Sequence, residues 1–376
     1  MSGLIMTTRQ YAPHFRAEEA EFVMHRWSAA QCCSLVGVGS VGKSNLLAHL
    51  ANPLTQMHYL NASNAPYKTI IIDANMLVSR PATYADDEAF QCWRGYELMM
   101  HRLFITLYPF DMLPPEEAQR FYDLYQTLQD GHNPLFSPMA LRYFELGLDL
   151  FSRHGLKFVF LFDEFEELLR QMPVKFFQTL RGIRDANKQN VLYLTFSRAP
   201  LHVLVERAQI DPIVIEPFIE LFSDHTQYVG PYNELDAQSM MNELTKRAQT
   251  QYPAPLLEAL RWITGGYAGL LRSGFAALTT LPAALYDHAD VDGLNTTLIA
   301  RRPIRDELNV IWSSLTSPEH YVLKAIARLV PYQVNTDTEL TVAMLVQKKL
   351  VRLDKATQRL SIEPPLFRAF VAMNPD

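Results

Sequence analysis

Gly37-Val38-Gly39-Ser40-Val41-Gly42-Lys43-Ser44 follows the apolar run Cys32-Cys33-Ser34-Leu35-Val36 and opens the helical run from Asn45 to Leu50. The order of strand, glycine-rich turn and helix decides the fold. Glycine at 37, 39 and 42 lets the backbone curl until its N–H groups point inward, and the helix start behind it adds partial positive charge. That spacing is GxxxxGK[ST], the loop that wraps the phosphates of a nucleoside triphosphate. Gly37 to Asn45 is therefore the expected ATP-binding segment. Lys43 supplies a point charge to the β- and γ-phosphates, and the Ser44 hydroxyl is an expected Mg²⁺ ligand.

Further apolar runs lie at Thr69–Ile72, Phe158–Phe162, Val191–Thr195 and Ile213–Ile215, with helical patterns between them. Short β-rich runs alternating with helices predict a parallel sheet, because parallel strands need crossovers and are buried on both faces. The Phe158–Phe162 run ends in Asp163-Glu164. Open parallel sheets place ligands at the carboxyl ends of their strands. Asp163 is thus the expected second Mg²⁺ residue, and Glu164 the group that orients and deprotonates the attacking water. The plain alternative is an acidic turn, since Glu166 and Glu167 continue the run. Thr195-Phe196-Ser197-Arg198 ends the next run, and the Arg198 fork suits a γ-phosphate. Lys43, Glu164 and Arg198 form the expected catalytic set.

The segments read as an N-terminal helical piece (1–30), a P-loop core (31–232) with a helical insertion near 86–153, a helical lid (233–290) and a winged-helix domain (300–376). The fold class is α/β, a P-loop parallel sheet flanked by helices, followed by lid and winged helix. The insertion, rich in Tyr, Phe, Met and Leu, is expected as a helical pair on the sheet. The lid is punctuated by Thr264-Gly265-Gly266, and Arg272 follows on the next helix, placed to fold back over phosphates. Thr316-Ser317-Pro318-Glu319 reads as a capping box ahead of an apolar stripe at Tyr321, Val322 and Ile326. A second helix over Asp337–Lys349 and a hairpin of Val351-Arg352-Leu353 with Leu360-Ser361-Ile362 complete the winged-helix pattern. Arg181, Arg184 and Arg207 read as solvated helix positions, with action on a neighbouring subunit's site left open.

The chain has 376 residues and a formal net charge of -6, a weak argument against a surface dedicated to nucleic-acid phosphates. Its 3 cysteines, Cys32, Cys33 and Cys92, form no spaced pairs, which suits a reducing cytosol and excludes a disulfide scaffold. No apolar stretch approaches a bilayer span, so neither a signal peptide nor a membrane anchor is expected, and the expected location is cytoplasmic. No histidine joins Cys or acids at metal-site spacing.

The phosphate loop, the strand ending Phe162-Asp163-Glu164-Phe165, the Thr195–Arg198 strand end, the Gly265-Gly266 helix start and a terminal winged helix together resemble the STAND branch of AAA+-related P-loop ATPases. The resemblance covers nearly the whole chain. It implies that Arg198 contacts the γ-phosphate and that Gly269-Leu270-Leu271-Arg272 is a second sensor of the AAA+ kind. It also implies a slow ATPase, cycling between ATP and ADP, that switches self-assembly or binding of a separately encoded effector or sensor, in bacterial signalling or defence. Two departures stand out. Ala268 occupies the lid position where the family usually has proline, and no Met-His-Asp motif lies near Leu360–Phe367, so locking of ADP through that histidine is not expected. The rival reading is an origin-recognition- or transposition-type AAA+ ATPase acting on DNA through its winged helix. Its candidate cations are Lys348, Lys349, Arg352, Lys355 and Arg359, which Asp337, Glu339 and Asp354 dilute.

Overall fold

The computed structural model describes residues 11–60, 67–79, 87–129, 137–281, 290–330, 335–354, 356–357 and 359–374. The expected boundary at Asp86 and the wing cation Lys355 lie outside them. Packing divides the chain into two compact units, one of 1–35 and 47–227, the other of 36–46 and 228–376.

In the first unit, the apolar runs become strands because no residue in them needs water. β1 (Cys33–Val36), β3 (Phe158–Asp163) and β4 (Val191–Ser197) are buried along nearly their whole length, as central parallel strands must be. β2 (Lys68–Asp73) lies at one edge and β5 (Thr226–Tyr228) at the other, in the order β2-β3-β4-β1-β5. β2 runs parallel to β3 in the register Asp73 to Asp163, and β3 runs parallel to β4 in the register Phe162 to Thr195. Helices cover the sheet: α1 (Ala17–Ser28), α2 (Lys43–Ala51) and α3 (Pro53–Tyr59) early in the chain. The insertion forms α4 (Glu88–Leu107), α5 (Pro115–Gln129) and α6 (Ala140–Arg153), three helices where a pair was expected. Pro114 and Pro115 separate the first two. Phe104, Phe110, Phe121 and Phe151 knit the three helices together, with ring centroids 4.7–6.2 Å apart.

After β3 come α7 (Phe165–Gln171) and α8 (Val174–Ala186); after β4 come α9 (Leu201–Arg207) and α10 (Pro212–Ile219). α10 corrects the expectation of a strand at Ile213–Ile215. Asp211 caps it by accepting the Ile213 N–H at 3.0 Å, and Pro212 supplies a φ suited to the first helical turn. Ile213 is 77% exposed, which no central strand would permit. The fifth strand is the short Thr226–Tyr228 segment, too brief and too polar to stand out in the sequence.

Beyond the 36–46 segment, the second unit contains α11 (Glu234–Ala248), α12 (Ala254–Thr264) and α13 (Ala268–Leu278), followed by α14 (Val291–Ile299) and α15 (Arg302–Ser313). Gly265 and Gly266, at φ 57° and 77°, turn the chain between α12 and α13. A side chain at Gly266 would run into the Tyr232 carbonyl, so close approach fixes glycine there as well as backbone hand. The winged-helix part comprises α16 (Ser317–Arg328), α17 (Thr336–Gln347), the antiparallel pair β6 (Val351–Asp354) and β7 (Arg359–Ile362), and α18 (Pro365–Met373). The Thr316 capping box forms as expected, with the Thr316 N–H donating to Glu319 Oε2 at 2.7 Å and the Glu319 N–H to Thr316 Oγ1 at 3.3 Å. The buried stripe of α16 is Val322, Leu323 and Ala325, whereas Tyr321 is exposed.

Glu319 has a second task. Lys348 Nζ donates to its Oε1 at 2.6 Å, and both side chains are buried. Removing one member of such a pair strands the other's charge out of water, at a cost of roughly 3–5 kcal/mol. Lys348→Ala is therefore expected to lower the urea midpoint of the chain sharply. An unchanged midpoint would contradict the pairing.

His49, near the end of α2, supplies a pH-dependent term. It is buried, its Nδ1 lies 3.2 Å from Thr55 Oγ1, and burial lowers its pKa from 6.5 to about 4. The unfolded chain takes up a proton at this residue below pH 6.5, whereas the folded chain does so only near pH 4. The contribution is full above 6.5 and is lost as pH falls through that window. His49→Asn, which cannot titrate, is expected to lose about 2 kcal/mol less stability than the parent between pH 7 and 4.5 in urea titrations. Equal losses would contradict it.

Candidate functional site

The phosphate loop lies in the second unit, between β1 and α2. Two residues give it its curl: Ser40 at φ 68° and Gly42 at φ 95°. Left-handed backbone is natural for glycine but strained for serine, and such strain collects where backbone groups must converge on a ligand. Lys43 folds back over the loop, its Nζ donating to the Gly37 and Val38 carbonyls at 2.7 and 3.2 Å. Ser44 is exposed on the first turn of α2. Val38 and Val41 are fully buried and anchor the loop from beneath. A curled backbone, a lysine lying across it and a helix start behind it are what the phosphates of a nucleotide require.

Residues from later in the second unit touch this loop. Asn45 Nδ2 donates to the Tyr232 hydroxyl at 2.6 Å, and the Gly269 N–H donates to the Ser40 carbonyl at 2.9 Å. Ser40 Oγ donates to Glu307 Oε2 at 2.8 Å, and an Arg272 terminal nitrogen lies 3.4 Å from Glu307 Oε1. Arg272 is thus held on α13 by a carboxylate of α15. Glu307 and Tyr232 were not among the residues singled out in the sequence. Nothing local in it marks them, because they reach the loop from 267 and 187 residues away.

The acidic group lies in the first unit, at the carboxyl ends of β2, β3 and β4. A strand buried on both faces cannot carry charge within the sheet, so the polar residues stand at its end. Asp163 Oδ1 accepts the Glu164 N–H at 3.0 Å. Glu164 caps α7 in left-handed geometry, φ 46° and ψ 53°. This strain aims its carboxylate between two donors. One is Arg198, whose terminal nitrogen donates to Oε1 at 2.6 Å; the other is Asn75, whose Nδ2 donates to Oε2 at 3.2 Å. Arg198 Nε also lies 3.3 Å from Glu166. Glu164 and Arg198 are each about a third exposed, so water and ligand reach both.

Asn75 was missed in the sequence reading, although the rule that found Asp163 would have found it. Asp73-Ala74-Asn75 ends a strand that pairs with β3. Asp73 Oδ1 accepts both the Asn75 N–H and its side-chain amide at 2.9 Å, fixing the amide toward Glu164. Thr195 and Ser197 serve the core instead, their hydroxyls donating to Ser34 Oγ and to the Ala199 carbonyl.

The other arginines divide. Arg207 is exposed, and Arg181 pairs with Asp185 at 2.8 Å, both as expected of a solvated face. Arg184 is a correction: it is buried and donates to the Ala30 carbonyl at 2.5 Å, so it ties α8 to the start of β1. The cations of the wing divide as well. Lys348 is inside, paired with Glu319; Arg352 pairs with Glu363 at 3.3 Å; and Lys349 packs its stem near Gly230 while its carbonyl accepts the Tyr267 hydroxyl. Arg359 is exposed on the second strand of the wing. The cysteines are buried, and burial raises the Cys92 thiol to about 12. No helix of the described residues is long and apolar enough to cross a membrane.

No family model matches the chain, and no curated protein does. Solved structures do. A Walker-type ATPase of Pyrococcus abyssi superposes with a TM-score of 0.53 at 17% identity, over 95% of each chain. The ORC2 protein of Aeropyrum pernix, determined with ADPNP and ADP, superposes with a TM-score of 0.51 at 13% identity, over 95% of this chain and 92% of that one. The chain therefore shares with these two structures an α/β fold, a five-strand parallel sheet flanked by helices and followed by further helices and a winged-helix part, similar to that of AAA+ P-loop ATPases.

A charged hydrogen bond contributes about 1.5–3 kcal/mol, or roughly ten- to hundredfold in affinity. Lys43→Ala is expected to weaken ATP by at least that range in isothermal titration. Unchanged affinity would remove the nucleotide from this loop.

Proposed function

We propose that the chain is an ATP-dependent switch of the STAND kind. It binds ATP at Gly37–Asn45, hydrolyses it slowly, and uses the difference between ATP and ADP to control self-assembly or the binding of a protein effector. The observation that carries this reading is the ion pair between Arg198 and Glu164. The cation suited to a γ-phosphate is held by the carboxylate suited to activating water.

The chemistry follows from that pairing. Ser44 and Asp163 are the residues that would hold Mg²⁺, which supplies neutralising charge to the phosphate oxygens when bound. In its ion pair the Glu164 carboxylate is turned to Arg198 and Asn75, each of its oxygens accepting one hydrogen bond, and is not aimed at a water molecule. A γ-phosphate offers the Arg198 fork three oxygens and a higher charge than a carboxylate. Transfer of Arg198 to the phosphate frees Glu164 to orient a water molecule and take its proton as the water oxygen attacks γ-phosphorus and ADP departs. Arming and sensing are then one event, and turnover is slow because the exchange must precede it. ADP, lacking the γ-phosphate, leaves the pair closed. ATP and ADP thus favour different arrangements, which is what a two-state switch needs. The DNA-acting reading would have to rest on exposed wing cations such as Arg352 and Arg359, since Lys348 is buried against Glu319.

The pair is partly exposed, so losing it costs the fold little, at most about 1 kcal/mol. Glu164→Gln is expected to keep ATP affinity and to lower turnover by about 10²–10⁴. Arg198→Ala is expected to keep ADP affinity, to lose the preference for ATP and to blunt any ATP-dependent change in protease sensitivity. Parental turnover in the first variant, or parental discrimination between the nucleotides in the second, would contradict the reading.

A further inference from the structure

α15 carries Glu307 and Val310 on one face, three residues apart, and that face is turned to the phosphate loop. Val310 covers Gly39: the place where a side chain would begin at Gly39 lies 2.8 Å from the Val310 carbonyl oxygen, and a methyl group there would collide with the Val310 side chain. One turn earlier, Glu307 takes the Ser40 hydroxyl at 2.8 Å and faces Arg272 at 3.4 Å. Its side chain is 20% exposed, while that of Arg272 is 64% exposed. A methyl group at Gly269 would strike both the Glu307 carboxylate and the Ser40 hydroxyl, so bare glycine at the start of α13 is what allows the contact.

The chemistry of this contact is that of a ligand. The phosphate loop is shaped for an anion, and Glu307 is an anion placed against it by the chain itself. Its two partners, a hydroxyl and a guanidinium, are donors that a phosphate oxygen accepts from equally well. A carboxylate and a triphosphate cannot both stay there, because like charges at contact distance repel strongly in a partly buried site.

Resting on the nucleotide-site reading above, we infer that Glu307 is an internal competitor of nucleotide phosphate. Without nucleotide it latches α15 to the phosphate loop through Ser40 and Arg272. A bound triphosphate takes over Arg272, repels the carboxylate and releases α15, the helix that leads into the winged-helix part. ADP, with one negative charge fewer, releases it less. The residue thereby sets how strongly the site prefers ATP, and links occupancy of the loop to the position of a helix.

The test is calorimetric titration of ATP and ADP into the full chain and into Glu307→Gln. The variant is expected to bind ATP about tenfold more tightly than the parent, within the ordinary range of coupled equilibria, and to gain less for ADP. Asp306→Asn removes a charge from the same helix at an exposed position, paired among the described residues with Arg302 at 3.9 Å, and is expected to bind both nucleotides as the parent does. ATP affinity in Glu307→Gln that equals or falls below the parent's overturns the latch, as does an equal gain in Asp306→Asn. If Glu307→Gln fails to fold, Glu307→Asp withdraws the carboxylate from Ser40 by one methylene and is read the same way. Lys43→Ala separates the two claims. Parental ATP affinity in that variant overturns the nucleotide site and the latch with it. Lost binding there, together with no gain in Glu307→Gln, overturns the latch alone.

Discussion

Charge cannot be stored inside a parallel sheet that is covered on both faces. β3 and β4 carry Phe158–Phe162 and Val191–Phe196 with scarcely an exposed atom, and every group able to bind an ion is pushed to the carboxyl ends. Asp163, Glu164, Asp73 and Asn75 stand at that edge, with Arg198 among them. The strained backbone of Glu164 belongs to the same constraint. The chain must leave a buried strand and enter α7 within one residue, and the turn that does so aims the carboxylate at its donors.

A second regularity concerns how cations are kept. Arg198 rests on Glu164, Arg272 rests on Glu307, and Lys43 lies across carbonyls of its own loop. Each of these groups has an internal partner, which on the proposed reading a phosphate would replace. On that reading, nucleotide binding exchanges partners more than it fills space, and each displaced carboxylate becomes free. The buried Lys348–Glu319 pair stands in contrast. Both of its side chains are buried, and it fastens the end of α17 to the start of α16.

Much of this was legible in the residues. The phosphate loop, four of the five strands, the Thr316 capping box and the hairpin of the wing rest on local rules of backbone conformation and burial, and those rules act over a few residues. Ile213–Ile215 misled because three branched apolar residues suit a strand, while the Asp211-Pro212 cap just before them starts a helix. Lys348 and Arg184 misled because a lone cation in a helical pattern gives no sign of a buried partner on another element. The meeting of Ser40 with Glu307 spans 267 residues, and nothing in either segment signals the other. Sequence thus shows which groups bear the chemistry, and only the fold shows what restrains them.

The central claim is that ATP and ADP hold the chain in different arrangements. Hydrogen exchange of the backbone amides, followed by mass spectrometry with saturating ADP and with a slowly hydrolysed ATP analogue, tests it most directly. The account predicts that the analogue, compared with ADP, speeds exchange in α15 and changes protection around Asp163–Phe165. Identical exchange with the two nucleotides, both bound, would contradict it.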